Sequence, residues 1–260
     1  MKIKYLKYWL ASACLAVTAT HAQAVELRFG VDPTYPPFSY KNKEGGLEGF
    51  EIEIGNALCA QLKRTCTWVV NDFDGLVPGL KARKYDGILS SMQPTAERLK
   101  QIDFTDGLYE VHSALVSHKH HSLTLSESAL RGKSVGVEQG TVQERYANKA
   151  LAAWGVSVLS YQSQDQVYAD LMNGRLDASL QDSTQAELGF LNTVQGKDYE
   201  VSDVVRDPVM QSSVAIGINK GNATLKTELD AAIHAVRASG EYERLQNKYF
   251  SAPTVTSSMN

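Results

Sequence analysis

Two charged side chains in the sequence have the chemistry to hold the two ends of a zwitterion. Arg98 begins a helical stretch, and a guanidinium can bind a carboxylate through two parallel hydrogen bonds. Asp182 follows a predicted strand at 177–180, and open α/β sheets bind ligands at the carboxyl ends of their strands. Each residue also has a plainer interpretation, a solvated surface arginine and the N-cap of a helix at 183–190. Residue type alone therefore leaves both roles open.

Three histidines form a second cluster of residues with chemistry to offer. His118, His120 and His121 lie together, and histidine pairs can bind zinc. A polar run directly after a predicted strand is more typical of a solvated turn, so we expect no metal there. The sequence contains no phosphate loop, nucleophile elbow or metal-binding motif. We therefore expect a protein that is not an enzyme and has no cofactor.

The amino terminus has the pattern of an export signal. Basic residues open the chain, namely Lys2, Lys4 and Lys7. An apolar run at 9–19 and the small-residue pattern at 22–24 follow, so residues 1–24 are predicted to be a signal peptide, cleaved after Ala24. The apolar run is shorter than the roughly 20 residues that span a bilayer. Cys14 raises the alternative of a lipid anchor, but too little apolar sequence precedes it.

Two of the three cysteines remain after such a cleavage, Cys59 and Cys66. An even number of cysteines in an exported chain favours a disulfide. A metal pair or a redox dithiol is the alternative, but the close C-x-x-C spacing is missing. We therefore expect a disulfide at a helix-to-strand corner, which would stabilise the fold by about 2–3 kcal/mol in the chain-entropy model.

The charge balance argues against one large class of partners. The chain has 26 Lys and Arg residues against 29 Asp and Glu, a formal net charge of −3 at pH 7. Nucleic-acid-binding proteins are typically basic, so we expect no nucleic-acid partner. The length of 260 residues is compatible with one large domain or two of ordinary size.

Predicted strands and helices alternate along the chain. The β-type runs lie at 26–30, 67–70, 87–90, 134–137, 156–160 and 177–180, with two further runs at 110–117 and 214–218. Helical stretches lie at 50–62, 73–82, 141–152, 164–173, 224–239 and 241–249. This alternation is typical of α/β proteins with mostly parallel sheets covered by helices.

Five longer segments carry a more specific signal. They are VDPTYPPF at 31–38, GLEGFEIEIGNALC at 46–59, FDGLVPGLKARKYDGILSSM at 73–92, TAERLKQIDFTD at 95–106 and VGVEQGTVQE at 135–144. These segments resemble the family 3 solute-binding proteins of ABC transporters, in order and with few gaps from about residue 25 to 250. The sequence is most similar to the subgroup of lysine/arginine/ornithine and histidine binding proteins.

The resemblance implies a fold and a set of partners. The fold would be that of a two-lobed periplasmic binding protein of type II, with a mostly parallel sheet flanked by helices in each lobe. The first lobe would comprise residues 25–111 and 213–260, the second residues 112–212, and two hinge strands would join them. The protein would be a monomer in the periplasm, and its partners would be the membrane subunits of an ABC transporter.

The resemblance also assigns the contacts to a free amino acid. Arg98 would bind the α-carboxylate together with backbone amides after Thr141, and Asp182 would bind the α-ammonium. Ser90 and Ser91 match positions that contact the same α-groups. The pocket for the ligand side chain would be lined by Asp32, Tyr35, Glu51, Phe73, Gln93, Glu138 and Gln143.

The acids of this pocket indicate the class of ligand. Asp32, Glu51 and Glu138 suit a distal ammonium or guanidinium, and the two aromatic rings of the set offer faces for stacking. Three residues depart from the pattern of the related binders: Glu51 replaces a shorter Asp, Gln93 replaces a small hydroxyl residue, and Glu138 replaces an apolar one. We expect arginine, ornithine or lysine as the ligand, and leave histidine and an arginine-derived opine open.

Two other functions stay open on the sequence alone. The fold class includes dehydratases derived from binding proteins, and Glu51 or Glu138 could serve such an enzyme as a general acid. A ligand sensor for a membrane receptor would bind its ligand in the same way. We favour a transport protein, because both halves of the amino-acid clamp are present. Ligand binding would then close the two lobes by motion at the hinges.

Overall fold

The computed structural model describes residues 26–207, 210 and 212–250. These residues form two five-stranded sheets with helices packed against them and one small three-stranded sheet. The predicted signal peptide, residues 1–24, lies outside the described ranges. Within those ranges, no helix has the length and apolar composition needed to cross a bilayer.

The elements follow one another in the alternation that the sequence predicts. The strands are β1 (Glu26–Val31), β2 (Thr34–Tyr35), β3 (Ser39–Lys41), β4 (Leu47–Glu48), β5 (Thr65–Val70), β6 (Gly87–Ile88), β7 (Ile102–Glu110), β8 (Ser113–His118), β9 (Ser134–Glu138), β10 (Ser157–Tyr161), β11 (Ala178–Asp182), β12 (Tyr199–Val204) and β13 (Ser213–Asn219). The α-helices are α1 (Phe50–Gln61), α2 (Leu76–Lys81), α3 (Ala96–Leu99), α4 (Glu127–Leu130), α5 (Val142–Tyr146), α6 (Gln164–Met172), α7 (Ser183–Gln185), α8 (Ala223–Ala238) and α9 (Glu241–Phe250).

The two large sheets have the same kind of topology. The first has the strand order β5-β1-β6-β13-β7, and the second has the order β10-β9-β11-β8-β12. Strands joined through helices pair in parallel, as β1 does with β5 and β6, and β9 with β10 and β11. Strands β13 and β8 pair antiparallel with their neighbours, so each sheet is mixed.

The chain passes between the two sheets twice. It leaves the first sheet after Glu110 and enters the second at Ser113, and it returns between Val204 and Ser213. At the first crossing, the backbone N–H of Val111 donates to the carbonyl of Ser212 at 2.8 Å, which ties the two connections together. The lobe boundaries at 111/112 and 212/213 stay a prediction, and both fall within these crossings.

Helix α8 shows how the sequence builds the core of the first lobe. Its buried residues follow the spacing of one helical face, and they are Leu225, Leu229, Ala232, Ile233 and Val236. They pack in one cluster with apolar residues of α1 and of the first sheet. Full burial of a leucine such as Leu229 contributes about 1.5–3 kcal/mol, so this face fixes the helix on the lobe.

The predicted disulfide between Cys59 and Cys66 is present. Cys59 lies in the last turns of α1 and Cys66 lies in β5, and their Cα atoms are 5.7 Å apart. The bond therefore joins a helix of the first lobe to the edge strand of its sheet, at the corner that the sequence indicates.

Candidate functional site

One cavity between the two lobes, with an empty volume of about 380 Å³, collects most of the side chains singled out from the sequence. Ten of the twelve line it, namely Asp32, Tyr35, Phe73, Ser90, Ser91, Gln93, Glu138, Thr141, Gln143 and Asp182. The remaining two, Arg98 and Glu51, are not part of the wall, but each is hydrogen-bonded to a residue of it. The cavity lies where strand ends of the two sheets face each other.

Asp32 is held rigidly at the end of β1. Its Oδ1 accepts hydrogen bonds from the backbone N–H and the hydroxyl of Thr34, at 3.0 and 2.8 Å. Its Oδ2 accepts from the backbone N–H of Phe73 at 2.8 Å, and its own N–H donates to the hydroxyl of Ser90. Burial nevertheless raises the pKa of Asp32. The side chain is therefore fixed in place before any ligand binds.

Glu51 does not line the cavity, but it is hydrogen-bonded to Ser91, which does. Its Oε1 accepts from the backbone N–H of Ser91 and from the hydroxyl of Tyr109, both at 2.7 Å. Ser91 has a φ of 48°, a left-handed conformation that serine rarely adopts, so these bonds hold a strained residue in the wall. Glu51 is fully buried, and burial raises its pKa to about 7. Direct contact between Glu51 and a ligand stays a prediction.

Arg98 bridges the two lobes beside the cavity. Thr95 caps the helix that carries it, since the Thr95 hydroxyl accepts from the Arg98 N–H. One guanidinium nitrogen donates to the carbonyl of Gln93 at 2.8 Å, and the other donates to the carbonyl of Gly140, in the second lobe, at 3.0 Å. The ring of Phe73 lies 5.3 Å from the guanidinium carbon. Burial lowers the pKa of Arg98 to about 10, so the guanidinium is a cation at neutral pH.

The second lobe contributes Thr141 and Gln143 from the start of α5. The Thr141 hydroxyl donates to the carbonyl of Glu138 at 2.7 Å and accepts from the N–H of Glu144 at 3.1 Å. The side-chain amide of Gln143 donates to the hydroxyl of Ser113 at 2.8 Å. Both side chains are therefore ordered by contacts within their own lobe.

Asp182 is the N-cap of a helix, and its contact with a ligand stays a prediction. Its Oδ1 accepts from the backbone N–H of Gln185 at 2.7 Å, which makes Asp182 the N-cap of α7. Its Oδ2 is buried and has no hydrogen-bond partner among the described residues. Burial outweighs the bonds from backbone N–H groups and raises the pKa of Asp182 to about 7. One oxygen is thus structural, and the other has no hydrogen bond to a described residue.

Glu138 is the least satisfied carboxylate of the cavity. It ends β9 and is 3% exposed, yet neither carboxylate oxygen forms a hydrogen bond with a described residue. Burial, and next the charge of Asp32, raise its pKa well above the ordinary value. The charges of Asp182 and Glu138 also act on the buried hydroxyl of Tyr35. The acids of this wall therefore lie close enough to influence one another's protonation.

The charges of the cavity wall all have one sign. Its acids are Asp32, Glu138 and Asp182, and no Lys, Arg or His belongs to the wall within the part of the chain that the structure describes. An unpaired buried carboxylate costs several kcal/mol, so the raised pKa values of Glu138 and Asp182 favour uptake of a proton unless water or a cation reaches these groups. Arg98, directly beside the wall, has a charge of the opposite sign.

The sequence did not single out several residues that shape the site. Val111 lines the cavity at the first crossing between the sheets. Tyr109 holds Glu51, Ser113 holds Gln143, and the Gly140 carbonyl receives Arg98. Their roles depend on contacts between distant parts of the chain. Only the place of Val111 within the predicted hinge strand at 110–117 could have drawn attention to it.

The three histidines lie away from this cavity, in a short 3-10 turn and the residue before it, His118. The rings of His118 and His120 stack with their centroids 5.2 Å apart, and His118 Nδ1 accepts from the N–H of His120. Within the described ranges, no group of three or more His, Cys, Asp or Glu side chains is arranged to hold a metal ion.

Several contacts join the lobes around the cavity. Arg98 bonds to Gly140, Arg145 pairs with Glu97, and Gln162 donates to Asp72. Gly189 of the second lobe also lies against the carbonyl of Pro36 in the first, where a Cβ would overlap the oxygen. The structure is therefore a closed arrangement of the two lobes.

This chain is similar to one protein family over most of its length. The model of the bacterial extracellular solute-binding proteins, family 3, matches residues 27–252. The L-arginine-binding protein of Pseudomonas aeruginosa is 44% identical over 234 residues, which cover 89% of this chain and 90% of that protein. The histidine-binding periplasmic protein of Escherichia coli K12 is 41% identical over 253 residues, which cover 96% of this chain and 97% of that protein.

Solved structures agree with the sequence relatives. An ancestral arginine-binding protein bound to arginine has a TM-score of 0.82 and 30% identity, and the match covers 88% of this chain and 99% of that chain. The predicted fold, a two-lobed α/β binding protein of the periplasmic type, is confirmed, and so is the resemblance on which it rested.

Proposed function

Because this chain belongs to the bacterial extracellular solute-binding proteins of family 3, we propose that it binds a free cationic amino acid and delivers it to an ABC importer. Arginine is the first candidate, followed by ornithine and lysine. The observation that carries the proposal is a cavity wall with three acids, Asp32, Glu138 and Asp182, to which no described Lys, Arg or His belongs and in which the buried Oδ2 of Asp182 has no described hydrogen-bond partner.

The head of the amino acid would lie between Arg98 and Asp182. The free Oδ2 of Asp182 would accept from the α-ammonium while Oδ1 keeps its bond to the N–H of Gln185. A guanidinium has five N–H donors, and Arg98 uses two of its nitrogens on the carbonyls of Gln93 and Gly140. Its remaining donors would bind the α-carboxylate.

The tail of the amino acid would lie between Asp32 and Glu138. A cationic tail would stabilise the ionised form of Glu138, whose pKa is raised by burial and next by the charge of Asp32. A neutral tail would leave both carboxylates buried and unpaired. The aromatic rings of Tyr35 and Phe73 line the same cavity and can stack on the aliphatic part or on a guanidinium.

The relatives support the same assignment. The Pseudomonas aeruginosa relative is named for L-arginine and the Escherichia coli relative for histidine, and the latter is periplasmic. We propose the periplasm for this chain also, after cleavage of the predicted signal peptide, with the membrane subunits of the importer as its partners. We propose no enzymatic activity, because the relatives named above are binding proteins.

Isothermal titration calorimetry with arginine, ornithine, lysine, histidine, glutamine and an octopine-type arginine conjugate tests the binding proposal. We expect a dissociation constant in the micromolar range or lower for a cationic amino acid, a free energy of about −8 kcal/mol or better. Glutamine should bind much more weakly. Tight binding of glutamine and no binding of the cationic amino acids would refute the proposal.

Uptake of labelled ligand tests the transport role separately. A strain that lacks this protein should lose high-affinity uptake of the ligand found by calorimetry, and the intact gene should restore it. Unchanged uptake together with tight binding would assign the protein to sensing rather than transport.

A further inference from the structure

We propose that Glu138 selects a guanidinium over an ammonium at the tail end of the cavity, and so determines a preference for arginine over lysine and ornithine. The inference rests on the proposed function, because it refines which cationic amino acid binds. It follows from the different hydrogen bonding of the two acids at this end, Asp32 and Glu138.

Asp32 has little capacity left for a ligand. A carboxylate has about four acceptor sites, and three donors already occupy those of Asp32: the N–H and hydroxyl of Thr34 and the N–H of Phe73. About one further hydrogen bond remains. A single bond is enough to orient a compact ammonium, but it does not distinguish an ammonium from a guanidinium.

Glu138 has all its acceptor sites free. It is 97% buried, as its 3% exposure shows, and no described residue donates to its carboxylate. A free carboxylate can accept two parallel N–H bonds from the planar fork of a guanidinium. An ammonium is a point charge that cannot form this parallel pair. Glu138 therefore adds more binding energy to a guanidinium than to an ammonium.

The shape of the cavity favours the same group. Asp32 belongs to the first lobe and Glu138 to the second, so the tail group lies between carboxylates from opposite sides. Phe73 and Tyr35 line the same cavity, and aromatic faces stack well on a planar guanidinium. A flat cation with donors on several edges meets both carboxylates at once.

Calorimetry on the Glu138→Gln variant with arginine, lysine and ornithine tests the inference. Glutamine keeps the size of the side chain but removes the charge and one of the two acceptor oxygens. We expect the affinity for arginine to fall about 10-fold to 100-fold, the range for loss of hydrogen bonds to a charged group. The affinities for lysine and ornithine should fall at least about fivefold less. The Glu138→Leu variant should show the same order of losses, and thermal unfolding without ligand checks that each variant folds.

Asp165→Asn is the matched control. Asp165 acts on Glu138 through its charge but does not line the cavity. We expect this variant to change the three affinities by similar factors. The inference fails if the glutamine variant weakens all three ligands equally or not at all, or if the control shifts the preference as much. If the unmodified protein binds none of the three ligands, the proposed function itself fails.

Discussion

The two lobes differ in how far the carboxylates in and behind the cavity wall are hydrogen-bonded. In the first lobe, Asp32 accepts three hydrogen bonds and Glu51 accepts bonds from Ser91 and Tyr109. In the second lobe, Glu138 accepts none from a described residue, and Asp182 keeps one buried oxygen without a partner. The carboxylates of the first lobe therefore have hydrogen-bond partners within the protein, whereas those of the second lobe lack some of theirs among the described residues.

This difference explains how a ligand can control closure. Buried carboxylates without partners destabilise the closed arrangement, whereas opening exposes them to water. A ligand with two cationic groups that lies on the first lobe meets Glu138 and Asp182 of the second lobe when the lobes close. Its affinity therefore differs between the open and closed states, and that difference is what shifts the equilibrium toward closure. The rigid first wall can receive the ligand beforehand with little reorganisation.

The largest effect is expected for Arg98→Ala. The change removes the cation for the α-carboxylate and the bond across the lobes to Gly140. We expect the affinity measured by calorimetry to fall at least about 1,000-fold, as for other buried charge pairs. Arg145→Ala is the control, because Arg145 pairs with Glu97 across the lobes at the surface, where ion pairs contribute little. Tight binding by the Arg98→Ala variant would show that Arg98 does not bind the α-carboxylate.

Asp182→Asn tests the unpaired oxygen of the second wall. Asparagine can keep the bond to the N–H of Gln185 but loses the charge that would meet the α-ammonium. We expect an affinity about 100-fold lower for every amino acid that binds, since the head group is common to them all. The melting temperature without ligand should not fall. A variant that binds as tightly as the unmodified protein would show that Asp182 only caps α7.

Glu51→Gln tests the wall of the first lobe through its pH dependence. Burial raises the pKa of Glu51 to about 7, so the folded protein binds its proton more tightly than the unfolded chain does. The contribution of Glu51 to stability is therefore full at low pH and is lost as the pH rises through 7. Between pH 5 and 8 the unfolding free energy of the unmodified protein should fall by about 2 kcal/mol relative to the variant. Parallel pH profiles in denaturant melts would contradict this reading of Glu51.

Gly189→Ala tests whether closure itself contributes to affinity. The new methyl group would overlap the carbonyl of Pro36 in the closed arrangement, but it touches nothing of the ligand site. We expect the affinity to fall about 10-fold, because overpacking costs a free energy in this range. The ligand-induced compaction measured by X-ray scattering should also be smaller. The melting temperature without ligand should stay unchanged. Normal affinity and compaction would mean that the lobes can close without this contact.

Local sequence patterns predicted the elements that carry regular apolar spacing. Strand β7 was missed because Asp103, Asp106 and Gly107 interrupt its alternation, and β12 was missed as a partly exposed edge strand. The predicted helix at 141–152 is α5 followed by a π-helix over Ala147–Leu151 and a 3-10 turn, a change that propensity does not encode.

The residues of the site also fall into two groups: those that a local sequence pattern predicts, and those whose role depends on contacts between distant parts of the chain. Asp32, Ser90 and Asp182 could be placed because each follows a strand that the sequence shows. The support of Ser91 by Glu51 joins residues 40 positions apart, and it depends on a left-handed backbone at Ser91 that no local pattern predicts. Which oxygens lack partners is likewise a property of the folded chain alone.

The most direct test of whether Asp32 and Glu138 pair with a cationic tail compares the affinities of the unmodified protein for arginine and for citrulline. Citrulline has nearly the same shape but a neutral tail, so it would leave Glu138 and Asp32 without a cation. Calorimetry at pH 8 should give citrulline an affinity at least about 100-fold lower than that of arginine, the cost of leaving a buried charge unpaired. Equal affinities for the two ligands would contradict the pairing of these carboxylates with a cationic tail.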